Sequence, residues 1–480
     1  MPDLIPSLSL AFALIASSYV AVYYSLNFIM VFLAWFEATR KRGVNRQLTR
    51  RIAEESGELP GVSVVIPAYN EEVPIVQTVK SVLDSRYPDL EVIVVNDGST
   101  DRTLKRLWQA FKLSPCNETP EAALTTQSVR AVFKSAIDSR LKIIDKRNGG
   151  KADALNAAIN YGCKELICTI DADVLLQPES ILELALPFAE DPTTVASGGF
   201  LRPRNGCKLS DNKLIQADLP DTWLERFQVL EYIRSFGIGR LFFNRINAHL
   251  IISGAFGLFR RQVVIDAGGY QAYAIGEDME LVVRLHRYLK ERGDAYRIVF
   301  VPNALCLTEA PYSVRDLGKQ RTRWHQGLLT SLRLHKVMLW NPKYGAVGMV
   351  AFPYFWYFEL LSPFVEAAGW IMIPLLWGLG WLAPGGFAFF AAVTLVFSSL
   401  VSLEAVLLDT ALFAFFPKWS HGIQLLALAL LEPFGYHQLN LYFRLRAFPR
   451  YYRSIHLKGG WRSPARIGRE SSSSTAINPE

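Results

Sequence analysis

Two hydrophobic regimes alternate along the chain. Leu4–Phe36 contains no charged side chain, and such a run exceeds the roughly 20 apolar residues needed to cross a bilayer. A cleavable leader is the rival reading, but Met1-Pro2-Asp3 supplies no basic n-region and the apolar run is too long for one. A transmembrane helix over residues 1–37 is therefore expected. Three further apolar stretches follow residue 340, at roughly Tyr344–Leu382, Gly385–Phe416 and Gly422–Leu441. Between the two regimes, short β-branched runs alternate with helical spacing. Val62–Pro67, Glu91–Asn96, Lys142–Ile144 and Leu166–Ile170 read as strands. Val73–Leu83, Thr103–Phe111 and Ala152–Tyr161 read as helices, and Leu113–Ser128, with Pro115 and Pro120, reads as a loop or insertion. Near-continuous apolar strands alternating with helices predict a parallel α/β sheet covered on both faces. Trp223–Arg245 has the pattern of an amphipathic helix at a membrane face, or of plain core.

Composition agrees with a mixed protein. The 480 residues are 50% hydrophobic and 20% charged, with a mean hydropathy of +0.16, too apolar for an ordinary soluble chain and too polar for a membrane bundle. The five cysteines are scattered and never spaced C-x-x-C, which excludes a disulfide scaffold and a zinc ribbon and fits reduced cytosolic thiols. The net charge of +7 is unevenly placed. Ala38–Arg51 and Arg444–Arg469 carry six and eight basic residues with no acid; with these fourteen set aside, 37 basic residues face 44 acids. Basic blocks flanking apolar segments point to anionic lipid and to the positive-inside rule, with the N-terminus outside and the loop after the first helix cytoplasmic. They do not form the basic, aromatic-studded face of a nucleic-acid binder, so no nucleic-acid partner is expected. Each C-terminal apolar stretch contains acids: Glu359 and Glu366, Glu404 and Asp409, and Glu432. Ionisable groups at that depth line a polar channel or form structural pairs. Three C-terminal spans would put Arg444–Arg469 outside. Either the first stretch, with Pro353 and Pro363, is split in two, or one segment lies in the interface.

In open α/β sheets the ligand sits beyond the carboxyl ends of the strands. Three strand ends carry acids there: Asn70-Glu71-Glu72, Asp97, and Asp171/Asp173. One such acid is a turn former or helix cap; three clusters side by side repel unless a cation or hydrogen-bond donors answer them. Asp171-x-Asp173 suits Mg²⁺ or Mn²⁺, a hard cation that takes its remaining ligands from water and a substrate diphosphate. No Walker motif or G-x-G-x-x-G is present, while Gly149-Gly150-Lys151 offers backbone donors and a cation. Glu277-Asp278 opens an amphipathic helix, either as an N-terminal cap or as a general base. Gln320, Arg323 and Trp324 share one helical face: an arginine for a leaving diphosphate, an indole for a sugar ring, or else an interfacial helix with Arg and Trp at the headgroups. Ser253–Gly257 is a tight turn near an acceptor, or close packing.

Taken in order, VSVVIPAYNEE, VNDGSTD, GGKADALN, DADV, SGAFGLFRR, GED and QRTRW, with membrane segments on both sides, resemble the bacterial membrane-bound family-2 glycosyltransferases. These include cellulose, chitin and hyaluronan synthases; the poly-N-acetylglucosamine synthase type is most similar. The match covers residues 60–330 well and the Gly460-Trp461…Arg466 tail loosely. The resemblance implies a GT-A fold, a Rossmann-like mixed α/β sheet in a cytosolic domain flanked by transmembrane helices, and inverting transfer of glucose or N-acetylglucosamine from a UDP-sugar. It implies that Pro67, Tyr69, Glu71 and Asp97 line the nucleoside pocket, and that Lys151, Asp171, Gln320 and Arg323 contact the nucleotide sugar. Asp171 and Asp173 hold Mg²⁺ or Mn²⁺, Asp278 with Glu277 beside it acts in catalysis, and Trp324 and Phe256 face the acceptor. The implied organisation is a helix at 1–37, a basic linker at 38–59, the catalytic domain at 60–312, an interface helix at 313–343, a membrane region of three or four segments at 344–443, and a basic cytosolic tail at 444–480 with a disordered end. The leading expectation is a processive synthase in the inner (plasma) membrane, multi-pass, exporting a β-linked glycan through its own helices. A single-sugar transferase to a lipid acceptor and a catalytically silent channel are the alternatives. Implied partners are the UDP-sugar, a glycan or lipid acceptor and the bilayer, with room for a small membrane partner subunit.

Overall fold

A computed structural model describes residues 4–41, 59–210 and 213–454. Most of the basic linker at 38–59 and the tail beyond Ser454 lie outside the described residues. The strands are β1 (Val62–Ala68), β2 (Leu90–Asn96), β3 (Leu113–Cys116), β4 (Val129–Ser135), β5 (Leu141–Lys146), β6 (Leu166–Ile170), β7 (Leu175–Leu176), β8 (Thr194–Pro203), β9 (Lys208–Ser210), β10 (Lys213–Gln216), β11 (Phe256–Arg260) and β12 (Arg297–Thr308). Ten of them form one sheet in the order β3-β4-β5-β2-β1-β6-β11-β8-β12-β7. The four strands β5, β2, β1 and β6 are parallel. They are unbroken apolar runs because side chains alternate between two buried faces: Val64 and Ile66 enter one core cluster and Val65 the other.

The parallel reading of the apolar runs holds for these four strands, and outside them the sheet is mixed, as the family resemblance implied. β11 runs antiparallel to both β6 and β8, and β4 runs antiparallel to β3 and β5, so the sheet is mixed. An apolar run encodes burial and not direction. β3 also corrects the loop reading of Leu113–Ser128: its Pro115 sits on a strand at the sheet edge, where a missing N–H is tolerated. The direction of β11 positions the site. Phe256 pairs with Ile170, so the residues entering β11, Ser253 and Gly254, lie beside the turn carrying Asp171 and Asp173.

Among the described residues three helices are long and apolar enough to cross a membrane: Ser7–Phe36, Val347–Gly378 and Pro384–Leu412. Among the described residues the C-terminal region has two such helices and one shorter apolar helix, Trp419–Leu431. The second contains π-helical turns at Val347–Ala351 and Phe355–Leu360 around Pro353, where the missing proline N–H disrupts the regular ladder. Trp419–Leu431 is a 13-residue helix, about 20 Å long and short of a hydrocarbon core of about 30 Å. Lys418 before it pairs with Asp218 of the sheet domain at 2.6 Å. The following helix, Tyr436–Ser454, packs back on Val314–Leu334, where Thr322 Oγ1 donates to Phe443 O at 3.2 Å. This helical hairpin leaves the sheet domain and returns to it.

Most of the acids in these segments are paired. Arg202 on β8 grips Asp409 at 2.5 and 3.2 Å, both side chains buried, and its guanidinium lies 4.1 Å over Phe200. That bidentate pair bolts the sheet to the Pro384–Leu412 helix. Glu432 accepts from Arg234 at 2.8 Å and Ser402 at 2.6 Å, and Glu366 meets His437 at 2.9 Å.

Candidate active site

The loops after β1 and β2 are stitched together. Asn70, at φ 57°, donates its N–H to Ser99 Oγ at 3.0 Å and accepts from Thr100 N–H at 2.8 Å. Glu71 N–H donates to Thr103 Oγ1 at 2.8 Å. Pro67 and the buried Glu71 face a cavity at the carboxyl ends of the strands; Tyr69, half-buried, is not on its wall.

Asp97 sits differently from the expectation. It is 1% exposed, and its carboxylate accepts from Lys146 Nζ at 2.5 Å and from Gly149 and Gly150 N–H at 3.0 and 2.8 Å. It lies behind the cavity wall and clamps the loop that launches the Lys151–Tyr161 helix. Gly150 (φ 91°) supplies the left-handed turn required there.

That clamp delivers Lys151 to the carboxylates. Its Nζ lies 2.6 Å from Asp171 Oδ1 and 3.2 Å from Glu277 Oε1. Glu277 in turn lies 3.8 Å from Arg323 Nη2. Burial works against the Lys151 charge, but Asp171, Glu277 and Asp278 outweigh it and hold the ammonium above the usual lysine range. Burial pushes Asp171 up, opposed by Lys151 and reinforced by the Asp173 charge. Glu277 stays below its usual range because Lys151 and Arg323 overcome the burial. Asp278 is raised by burial and by Glu277, against Lys151 and two backbone N–H donors.

Those two donors fix the Asp278 carboxylate: Gly254 N–H to Oδ2 and Met279 N–H to Oδ1, each at 2.8 Å. The helix-cap reading therefore holds in part, and each oxygen keeps a further lone pair for a hydroxyl. Two glycines make the approach possible. A Cβ on Gly254 would sit 3.0 Å from Lys151 Nζ and 3.2 Å from Asp278 Oδ2. One on Gly276 (φ 80°) would sit 2.8 Å from Gly327 Cα, so backbone contact sets the acidic pair against the helix of Gln320, Arg323 and Trp324.

Asp171 and Asp173 suit a divalent cation by their donor set. They are two hard oxygen ligands two residues apart, and both line the cavity. Among the described residues no group of three or more metal-ligating side chains exists, so a cation held there would need further ligands from outside the protein.

On the Val314–Leu334 helix, sequence reasoning missed one residue. Arg321 is buried. It donates to Gln320 Oε1 at 2.6 Å and to Glu231 Oε2 at 2.8 Å, and its guanidinium lies 4.1 Å over the Trp324 indole. Tyr436 OH also donates to Glu231, at 2.6 Å. Arg321 therefore fixes the indole, which stays 39% exposed to the cavity. Its place three residues before Trp324 was the available signal. Phe256 is a correction: it is fully buried and packs on Gly199, where any Cβ would collide with its ring. The close-packing reading holds for the aromatic, while Gly254 and Ala255 line the cavity.

One cavity of about 920 Å³ joins Pro67, Glu71, Lys151, Asp171, Asp173, Glu277, Asp278, Gln320, Arg323 and Trp324. It continues among Tyr23 and Asn27 of the first helix and Glu359, Glu366 and Glu432 of the C-terminal region.

Residues 166–428 match the model of the glycosyl transferase family group 2, and residues 63–118 that of glycosyl transferase family 2. A poly-beta-1,6-N-acetyl-D-glucosamine synthase of Staphylococcus epidermidis is 27% identical over 317 residues, 66% of this chain and 64% of that protein. Its Staphylococcus aureus counterpart is 28% identical over 286 residues, 60% and 59%. The chain thus spans less than two thirds of these relatives' length. A solved mannosyltransferase from Pyrobaculum calidifontis, in complex with GDP-Man and Mn²⁺, superposes with a TM-score of 0.53 at 18% identity, covering 88% of this chain and 99% of that one, a likeness of fold.

Proposed function

The chain belongs to the glycosyl transferase family group 2, and on that premise we propose that it transfers a hexose, N-acetylglucosamine foremost, from a UDP-sugar to a growing β-linked polysaccharide. The observation that carries this reading is the single cavity holding Asp171, Asp173, Lys151, Arg323, Asp278 and Trp324 and extending among the apolar helices. The names of the curated relatives favour N-acetylglucosamine over glucose.

Asp171 and Asp173 would hold Mg²⁺ or Mn²⁺, which supplies charge neutralisation for the donor diphosphate. Lys151 and Arg323 add positive charge on the same side, where it counts most as the leaving diphosphate gains electrons. Gly254 and Met279 N–H orient the Asp278 carboxylate and favour its charged form against the burial that raises it. As the acceptor hydroxyl attacks the anomeric carbon, its proton passes to Asp278, the new C–O bond forms opposite the departing diphosphate oxygen, and the configuration inverts. Trp324, stiffened by Arg321, offers the acceptor ring a flat apolar face.

The polar extension of the cavity supports export of the product between the helices. The domain that holds the site faces the cytoplasm of the inner (plasma) membrane in this reading: an even number of C-terminal spans and the returning hairpin keep Arg444, Arg446, Arg450 and Arg453 on its side. A panel of UDP-sugars scored by UDP release, with sizing of the products, tests the proposal. Long products from UDP-N-acetylglucosamine are expected; a single-sugar lipid product would replace the polymerase by the lipid-acceptor reading.

A further inference from the structure

One charge on the cavity wall lacks a pairing partner. Arg240 lies in the short helix Gly239–Arg245 and is 8% exposed. Its guanidinium lies 4.9 Å from the Phe236 ring and 5.9 Å from that of Phe300. Among the described residues it makes no hydrogen bond or ion pair, although it lines the cavity. The other buried arginines named above are answered, Arg202 by Asp409 and Arg321 by Glu231. A guanidinium has five N–H donors, and those of Arg240 open onto the cavity without a protein acceptor.

A second, independent side chain repeats the pattern beside it. His249 lines the same cavity, is 3% exposed, and its Nε2 has no partner. Burial, and then the Arg240 charge, keep its imidazole well below the usual range and so neutral. Its ring lies 6.3 Å from Phe300, the ring that Arg240 also touches. The wall is continuous with the indole: Phe236, four residues before Arg240 and in the π-helical turn Ile233–Ile238, meets Trp324 edge-on at 5.5 Å.

Burial pulls the Arg240 guanidinium down from its usual range, and the Asp278 charge opposes that without pairing with it. What Arg240 lacks is oxygen atoms to donate to. We propose that Arg240 and His249 form an acceptor subsite that binds the terminal sugar of a neutral glycan through its hydroxyl and amide-carbonyl oxygens and sets its nucleophilic hydroxyl against Asp278. The inference rests on the reading of Asp278 as the base. Arg240 donates to the sugar oxygens, neutral His249 backs it from behind Phe300, and Phe236 extends the apolar floor begun by Trp324.

The test uses the full chain in lipid nanodiscs, UDP-N-acetylglucosamine as donor and a β-linked N-acetylglucosamine tetrasaccharide as acceptor probe. Arg240→Gln is expected to raise the tetrasaccharide KM about 10- to 100-fold, the scale of one lost charge-assisted hydrogen bond, with the donor KM moving about twofold at most. His249→Ala should do the same more weakly, and Arg240→Lys should recover part of the loss, which also serves if the glutamine variant unfolds. An unmoved tetrasaccharide KM, or donor and acceptor KM rising in step, overturns the subsite. Loss of transfer to a prenyl phosphate lipid with tetrasaccharide transfer intact overturns the glycan assignment. A wild-type protein inert towards every UDP-sugar removes the catalytic reading and this inference with it; an active one with unmoved acceptor kinetics removes this inference alone.

Discussion

Replacing Asp278 by Asn removes the proton acceptor and keeps the side-chain shape. In the native site Gly254 and Met279 N–H each donate to one carboxylate oxygen at 2.8 Å. An amide offers a single oxygen, so one of those N–H groups then faces an NH₂. The lost hydrogen bond costs about 1 kcal/mol, small beside the roughly 5–15 kcal/mol that holds a domain folded. The chemical loss is larger: a positioned general base contributes about 10²–10⁴-fold, or roughly 3–5 kcal/mol of barrier. Nucleotide binding should survive, because Lys151 keeps Asp171 at 2.6 Å and Glu277 at 3.2 Å. UDP release at saturating donor, with UDP affinity measured separately, reads both effects. Turnover should fall by at least about 100-fold, with affinity changing only a few-fold. A variant keeping more than about a tenth of wild-type turnover would refute the base assignment. The pH profile adds a second readout. Burial and Glu277 raise Asp278 above the ordinary aspartate range. A base works only when deprotonated, so turnover is full above that raised pKa and is lost as pH falls through it. The wild-type acid limb therefore lies higher than an exposed aspartate would put it, and Asp278→Asn should abolish it. An identical limb in both proteins would locate the titrating group elsewhere.

Asp173→Asn and EDTA should each abolish transfer, with added Mg²⁺ or Mn²⁺ reversing only the chelation; full turnover in EDTA would refute the cation site. Trp324→Ala should impair chain elongation more than UDP-sugar hydrolysis, compared by product sizing and UDP release, and equal losses would count against an acceptor platform. Asp409→Asn should destabilise the protein by about 3–5 kcal/mol, since it leaves Arg202 buried and unanswered, while joint apolar replacement of both should recover much of that. Thermal unfolding in detergent measures both, and an unchanged midpoint for Asp409→Asn would show that the pair does not bolt sheet to helix.

Much of the parallel half of the sheet was legible because β1, β2 and β6 are buried on both faces and their residues say so. The direction of β11 was not, since burial leaves direction open, and β3 was hidden by Pro115 at an edge. The site motifs were legible where the chemistry is local: Asp171 and Asp173 two residues apart, Glu277 beside Asp278, Gln320 and Arg323 on one helical face. Roles that depend on distant partners were not. Asp97 looks like a ligand-facing acid until Lys146 and the Gly149-Gly150 loop close around it. Arg321 needs Glu231, 90 residues away, to become the residue that fixes Trp324. Phe256 sits in a motif whose backbone, rather than its ring, reaches the cavity. The isolation of Arg240 is visible only once every neighbour is in place.

The convergence of acids and cations on one diphosphate is tested most directly by a cryo-electron microscopy map of the protein in nanodiscs with UDP and Mn²⁺. The account predicts diphosphate density between the Asp171/Asp173 carboxylates and Arg323, within reach of Lys151, with Asp278 facing the empty sugar position. Nucleotide bound on another surface, or density that leaves Asp173, Asp278 and Arg323 opening onto separate spaces, would contradict it.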